Sequence, residues 1–291
     1  MRFKGLDKLY EKLPAYTGKR IVIFPLVGMI ISLAAYLFLV GLDILPRIFS
    51  GIEVLAAVEP FIPFLGSLFV ATIGFLLIGT LWSKRDSMKE KYGDLAYQRM
   101  IPRGVIGVFL IPALVFHAFT SIRSLPGDAV NTLTDQWAYP LLQLLGVPIE
   151  VDIWLRGILS GLFIIFGLLT IRSALLTFGL DYMMVVYLYF PEESEIVDHE
   201  IYSVVRHPAY LSGTLLTVAA ILFRLTLYSV LLGIIAYLVF RLQARREEKE
   251  LIDRFGDSYR TYMKQVPGLY VRFRDIPTYL RFLRNKSESK A

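Results

Sequence analysis

Residues 21–42, 61–82 and 104–122 form three apolar runs that contain no Asp, Glu, Lys or Arg. A helix needs about 20 such residues to cross the hydrocarbon of a bilayer, and a buried strand rarely exceeds half that length. The chain is therefore read as an integral membrane protein built from spanning helices, the one regular structure other than a closed barrel that satisfies its own backbone in lipid. A fourth span is expected at residues 155–171, extended by 151–154, with Asp152 and Arg156 close enough to its end to reach headgroups. The fifth and sixth, at 210–223 and 225–242, are separated by little more than Arg224 and so read as a tight hairpin, the fifth being short for a full crossing. Composition agrees: 55% of the 291 residues are hydrophobic, with a mean hydropathy of +0.56, more than a soluble core requires.

The basic residues orient this bundle. Arg2, Lys4, Lys8, Lys12, Lys19 and Arg20 precede the first span, and Lys84, Arg85, Lys89, Lys91, Arg99 and Arg103 lie between the second and third. Residues 43–60 hold only Arg47, and residues 123–150 only Arg123 beside Asp128, Asp135 and Glu150. Cytoplasmic loops carry the excess of Lys and Arg, so six spans put both termini, 172–209 and 243–291 in the cytoplasm. The charged N-terminal segment is unlike a cleaved signal peptide and is read as retained. The net charge of +6 is assigned to anionic headgroups rather than to nucleic acid. The absence of cysteine excludes disulfides, thiolate metal sites and a nucleophilic thiol.

Several polar or small residues inside the apolar runs have structural readings. Gly157 and Gly161 form a small-xxx-small pattern that suggests close helix packing, and Pro112 a kink. His117 reads as an interfacial or bundle-facing polar group rather than a ligand. Residues 136–147 are amphipathic enough to lie on the outer interface. Asp198, His199 and Glu200 lack enough partners for a metal site, and Glu192, Glu193 and Glu195 read as a solvated loop.

The chemistry is concentrated after residue 172. Arg206-His207-Pro208-Ala209-Tyr210, then Ser212 and Gly213, then the hairpin, then Glu247-Glu248, resembles the signature of the isoprenylcysteine carboxyl methyltransferase and phospholipid methyltransferase family. Leu251, Phe255-Gly256, Tyr259, Tyr262 and Val266-Pro267 resemble that family's closing amphipathic helix. The resemblance spans about residues 172–267. Two positions depart from it. Glu200 stands where the family has glycine two residues before the tyrosine, Tyr202, that precedes the Arg-His-Pro motif. Ser212 stands where the motif glycine would fall, with Gly213 one place later.

The resemblance implies an all-α bundle of about six spans in which a C-terminal cytoplasmic helix completes a pocket for S-adenosylmethionine. A carboxylate pair at Glu247 and Glu248 suits an ammonium or ribose hydroxyls. Arg206 and His207, the expected catalytic residues, offer donors to a carboxylate. Tyr202, Tyr210 and Tyr262 offer faces to adenine or a sulfonium, and Pro208 and Gly213 shape the approach of the chain. The organisation expected is an N-terminal membrane region at 1–150, a methyltransferase-like region at 151–270 and a basic tail at 271–291, whose Arg272, Arg274, Arg281, Arg284, Lys286 and Lys290 suit anionic lipid. No dedicated base stands in the motif, which favours a lipophilic acceptor that is already a nucleophile, such as a prenylcysteine-type carboxylate, although a tyrosine or glutamate on the aqueous face could serve as a base for another acceptor. The alternatives are an NADPH-dependent sterol or steroid reductase, against which Ala209 and the lack of an acid soon after Tyr210 both count, and a non-catalytic scaffold.

Overall fold

The computed structural model describes residues 4–284, and among them there is no strand; Arg2, Lys286 and Lys290 lie outside the described residues. Eight helices carry the architecture: α1 (Ile23–Ile48), α2 (Ile62–Ser83), α3 (Ala96–Phe119), α4 (Ile149–Phe178), α5 (Pro208–Arg224), α6 (Leu227–Phe255), α7 (Asp257–Gln265) and α8 (Ile276–Arg284). Five segments, containing α1, α2, α3, α4 and α6, are long and apolar enough to cross a membrane. The protein is a multi-pass integral membrane protein. α5 has 17 residues, roughly 26 Å at 1.5 Å per residue, a little less than the hydrocarbon thickness. It is tied to α6 through Leu225 in the left-handed region and a capping box in which Thr226 and Ser229 exchange side-chain and backbone hydrogen bonds.

The spans are longer than the apolar runs because polar residues extend them beyond the lipid. α6 continues for more than three turns past Leu242 and so carries Glu247 and Glu248 out of the apolar zone on a rigid rod. One core joins the two halves of the chain: Ala35, Leu39, Val70, Ile78, Leu114 and Ala118 of α1–α3 pack with Ala220 of α5 and Leu232, Ala236, Val239 and Phe240 of α6. Close backbone approach occurs at Gly74 and Gly107, where a Cβ on Gly107 would meet the Gly74 carbonyl at 2.8 Å. The expectation for Gly157 and Gly161 is corrected: a Cβ on either meets nothing within 4 Å, because that stripe of α4 faces outward, and α4 packs on α5 through Gly167 instead, its carbonyl accepting from Ser212 Oγ at 2.8 Å.

Two buried polar clusters lie inside the bundle. His117 is fully buried, with Nε2 2.6 Å from Asp43 Oδ2 of α1 and Nδ1 3.1 Å from Ser67 Oγ of α2. It faces the bundle and ties three helices together. Arg47 reaches the carbonyls of Ile122, Leu125 and Gly127 and lies 3.4 Å from Glu59.

At the end of the bundle that holds residues 84–95, 179–207 and 256–284, the connecting segments are short helices and turns. Glu193, expected in a solvated loop, is exposed and in addition accepts from Lys12 Nζ at 2.6 Å and lies 3.3 Å from Lys8. That carboxyl is held below the usual glutamate range, chiefly by the Lys12 hydrogen bond, and it tethers the helix Leu6–Lys12. The segment expected to be a basic tail is in part a packed helix: Tyr279 and Leu283 of α8 are buried against Ile201, Tyr202, Val204 and Val205, and the Tyr279 hydroxyl meets Thr170 Oγ1 of α4. Arg281 and Arg284 stay on the exposed face.

Replacing His117 with Ala leaves Asp43 buried without its partner, a change that costs about 3–5 kcal/mol when a buried pair is broken. Thermal unfolding in detergent should show this loss. The Asp43→Ala/His117→Ala pair should be less damaging than the sum of the single substitutions.

Candidate active site

Pro208 occupies the first turn of α5, where its missing N–H is no loss and its fixed φ starts the helix. The two residues before it pair with the loop after α7: Arg206 N–H donates to the Pro267 carbonyl at 2.9 Å and His207 N–H to the Gly268 carbonyl at 3.1 Å. This short backbone ladder lays the Arg-His-Pro segment alongside residues 266–268, directly beneath the extended end of α6.

Glu248 closes the arrangement. Its Oε1 accepts from Arg206 Nη2 at 2.5 Å and Nε at 3.2 Å, and lies 3.1 Å from His207 Nε2. Arg206 Nη1 also donates to the carbonyls of Met263, at 3.0 Å, and Val266, which the end of α7 leaves without helical partners. Glu247, one residue earlier, accepts from the Tyr210 hydroxyl and more distantly from Gln243 Nε2 at 3.4 Å. Its Oε2 makes no hydrogen bond within the described residues and lies 3.8 Å from His207 Nδ1. The imidazole thus stands between the two carboxylates. Side-chain exposures of 7% for His207, 14% for Glu247 and 9% for Glu248 put the cluster almost entirely out of solvent.

Arg206, His207, Tyr210, Glu247 and Glu248 therefore meet, although 37 to 42 positions separate them. The remaining candidates border them. Gly213 faces Phe240 of α6, where a Cβ would come within 2.4 Å of the ring, and Phe240 in turn packs on the Tyr210 ring. Tyr202 stacks on Phe178 at 4.7 Å, and its carbonyl accepts from the Tyr262 hydroxyl at 2.6 Å. Tyr262 meets Tyr259 edge-on. Burial pushes the Tyr187, Tyr202, Tyr259 and Tyr262 phenols above their ordinary range, so all four are neutral donors rather than phenolate bases.

Glu200 resolves one departure noted in the sequence. Its φ is +51°, the left-handed region that favours glycine and costs another residue about 1–2 kcal/mol. The Thr177 hydroxyl donates to Glu200 Oε2 at 2.6 Å, an interaction that offsets the strain.

Some neighbours had no signal in the sequence. One helical turn beyond Glu247, Glu250 accepts from Arg85 Nη1 at 2.7 Å and Arg254 Nη2 at 2.9 Å. Arg85, Asp86, Lys89, Leu188, Pro191, Glu250, Asp253 and Arg254 line a cleft of about 380 Å3, within the range of small-molecule sites of about 300–1,000 Å3. Arg254 lies over the Tyr187 ring, beside the acidic pair. No group of three or more potential metal-ligating side chains is present among the described residues.

Residues 155–258 match the family model of phospholipid methyltransferases. Over this stretch the chain is similar to the phospholipid methyltransferases. The match begins in α4 and ends just inside α7, so it contains the Arg-His-Pro motif, the hairpin and both glutamates, while Gly268 and the carbonyls of Met263 and Val266 come from beyond it. No curated protein and no solved structure matches the chain.

Two substitutions separate support from strain at this end of the bundle. Glu200→Ala removes the Thr177 hydrogen bond without relieving the backbone and should destabilise by about 1–2 kcal/mol, whereas Glu200→Gly relieves the backbone as it loses the bond and should be close to neutral. Unfolding in detergent distinguishes them.

Proposed function

We propose that the protein transfers a methyl group from S-adenosylmethionine to a lipophilic acceptor, with the cofactor held at the cytoplasmic end of the bundle. The observation that carries this reading is the meeting of His207 with the two carboxylates, Glu247 keeping one oxygen free of hydrogen bonds within the described residues in a nearly dry setting, one helical turn along α6 from Glu250, which lines a cleft of suitable size. That donor set fits the cofactor. An oxygen with a spare lone pair suits an ammonium or ribose hydroxyls, the His207 ring and the Arg85 and Arg254 guanidiniums that border the cleft suit a carboxylate, and buried aromatic rings suit adenine and a sulfonium.

Bound there, S-adenosylmethionine supplies an electrophilic methyl group on sulfur. The chain's part is positioning and exclusion of water, since in-line displacement gains most from a fixed approach in a dry site. Glu247 is the contacting carboxylate in this reading. Glu248 is the supporting one, because its interactions with Arg206 and His207 fix the His207 ring and the loop at 266–268. Neutral phenols, and a Glu248 already engaged by Arg206 and His207, support an acceptor that needs no deprotonation, such as the carboxylate of a prenylcysteine-type compound. A lipophilic acceptor would enter laterally from the bilayer while the cofactor enters from the aqueous side.

Glu247→Gln should weaken S-adenosylmethionine binding by the worth of a charge-assisted bond, about 1.5–3 kcal/mol, with little loss of stability. Glu248→Gln should lower stability as well as affinity. Calorimetric titration of purified protein with S-adenosylmethionine, its demethylated product and NADPH tests this, and binding of NADPH alone would favour a reductase. A radiolabelled methyl-transfer screen over prenylcysteines, phospholipids and small thiols identifies the acceptor. A reporter fused after residue 291 should read out on the cytoplasmic side.

A further inference from the structure

The opposite end of the bundle is poor in basic residues along the sequence, yet the fold draws three of them to one place. A cavity of about 320 Å3 there is lined by Arg123 after α3, Gln143 and Ile149 before and at the start of α4, Arg156 within α4, and Arg224 and Thr226 at the α5–α6 connection. Among the described residues the carboxylate in contact with these arginines is Asp152, which is fully buried and already engaged: Arg156 donates to it through Nε at 2.6 Å and Nη2 at 2.9 Å, and Gln143 Nε2 at 2.9 Å. Two positive charges are left uncompensated.

Helix capping uses some of the donors. Arg156 Nη1 reaches the carbonyls of Phe223 and Arg224, and Arg224 Nε that of Phe119 at 2.6 Å. The two terminal nitrogens of Arg224 make no hydrogen bond within the described residues, and Arg123 makes none at all, resting on the Tyr139 ring at 4.9 Å. Arg47, at the same end, is the contrast, with its guanidinium committed to carbonyls and Glu59. Planar guanidiniums with free donors in a partly desolvated cavity suit the oxygens of a phosphate.

We propose that this cavity binds the phosphate of an anionic phospholipid headgroup, drawn from the leaflet opposite the Arg206–Glu248 site. The rim points to a lipid rather than a free ion: Ile149 lines it and is 53% exposed, an apolar contact for an acyl chain below the phosphate. The charge selects among lipids, because a zwitterionic headgroup would bring its ammonium to a cavity lined by three arginines and by no carboxylate among the described residues.

The test is native mass spectrometry of the full chain released from detergent, titrated with phosphatidylglycerol or phosphatidylcholine, with and without excess inorganic phosphate. Retention of phosphatidylglycerol should exceed that of phosphatidylcholine and fall about tenfold in Arg224→Ala and in Arg123→Ala, one charge-assisted contact being worth about that factor. Arg260→Ala, exposed at the other end, should leave it unchanged. Arg123 has no hydrogen bond to lose within the described residues, so its variant remains informative if Arg224→Ala fails to fold. Equal retention of the two lipids, or retention unaltered in Arg123→Ala, overturns the proposal. Displacement of the lipid by inorganic phosphate overturns the lipid assignment in favour of a simple anion site.

Discussion

A single carboxylate oxygen, Oε1 of Glu248, holds the candidate active site together. It receives Arg206 and approaches His207, and so joins the end of α6 to the chain entering α5. Through Arg206 it is also joined to the end of α7. Burying such a pair away from water is costly, and the cost is recovered only if the remaining donors are satisfied. Here they are, because the carbonyls freed by the end of α7 and the ladder from Arg206 and His207 to Pro267 and Gly268 occupy them. Gly268 has a role in this closeness, since a Cβ there would stand 3.2 Å from Arg206 Nη2. The result is a preorganised His207 ring, with Glu247 as the carboxylate still able to take a ligand.

The same rule governs the interior of the membrane domain. Lipid offers no hydrogen bonds, and several polar groups placed at depth or near the helix ends are answered by one another: His117 by Asp43 and Ser67, Arg47 by Glu59 and loop carbonyls, Arg156 by Asp152. These pairs join helices distant in sequence, whereas glycines at Gly74, Gly107 and Gly167 let backbones come close enough for dispersion to act. Polar pairing fixes which helices are neighbours, and small residues fix how close they lie.

The segment that matches the family model does not close its own site. Arg85, from the connection between α2 and α3, bonds Glu250, and Arg246 lies 3.9 Å from the Phe75 ring centroid of α2. The N-terminal helix is tethered through Lys12 to Glu193, and α8 supports the turn at 201–205. The first three spans and their connections thus brace the end where the acidic pair emerges. That coupling is a consequence of a shared core running from Ala35 to Phe240.

The sequence by itself determined the class of fold, because uninterrupted apolar runs of spanning length admit few structures other than helices in a bilayer, and the ordered motif from Arg206 to Glu248 named the residues that would converge. Patterning is local, and these signals are local. Only the tertiary structure decided which partner each residue takes. That Glu248 supports and Glu247 remains available follows from where Arg206 lies. That Gly157 and Gly161 face outward while Gly74 and Gly107 cross follows from helix rotation, which spacing leaves free. The strained backbone at Glu200, the ion pairs of Glu193, the packed α8 and the convergence of Arg123, Arg156 and Arg224 each depend on contacts across tens to more than a hundred positions, and no periodicity of a single strand of sequence encodes them.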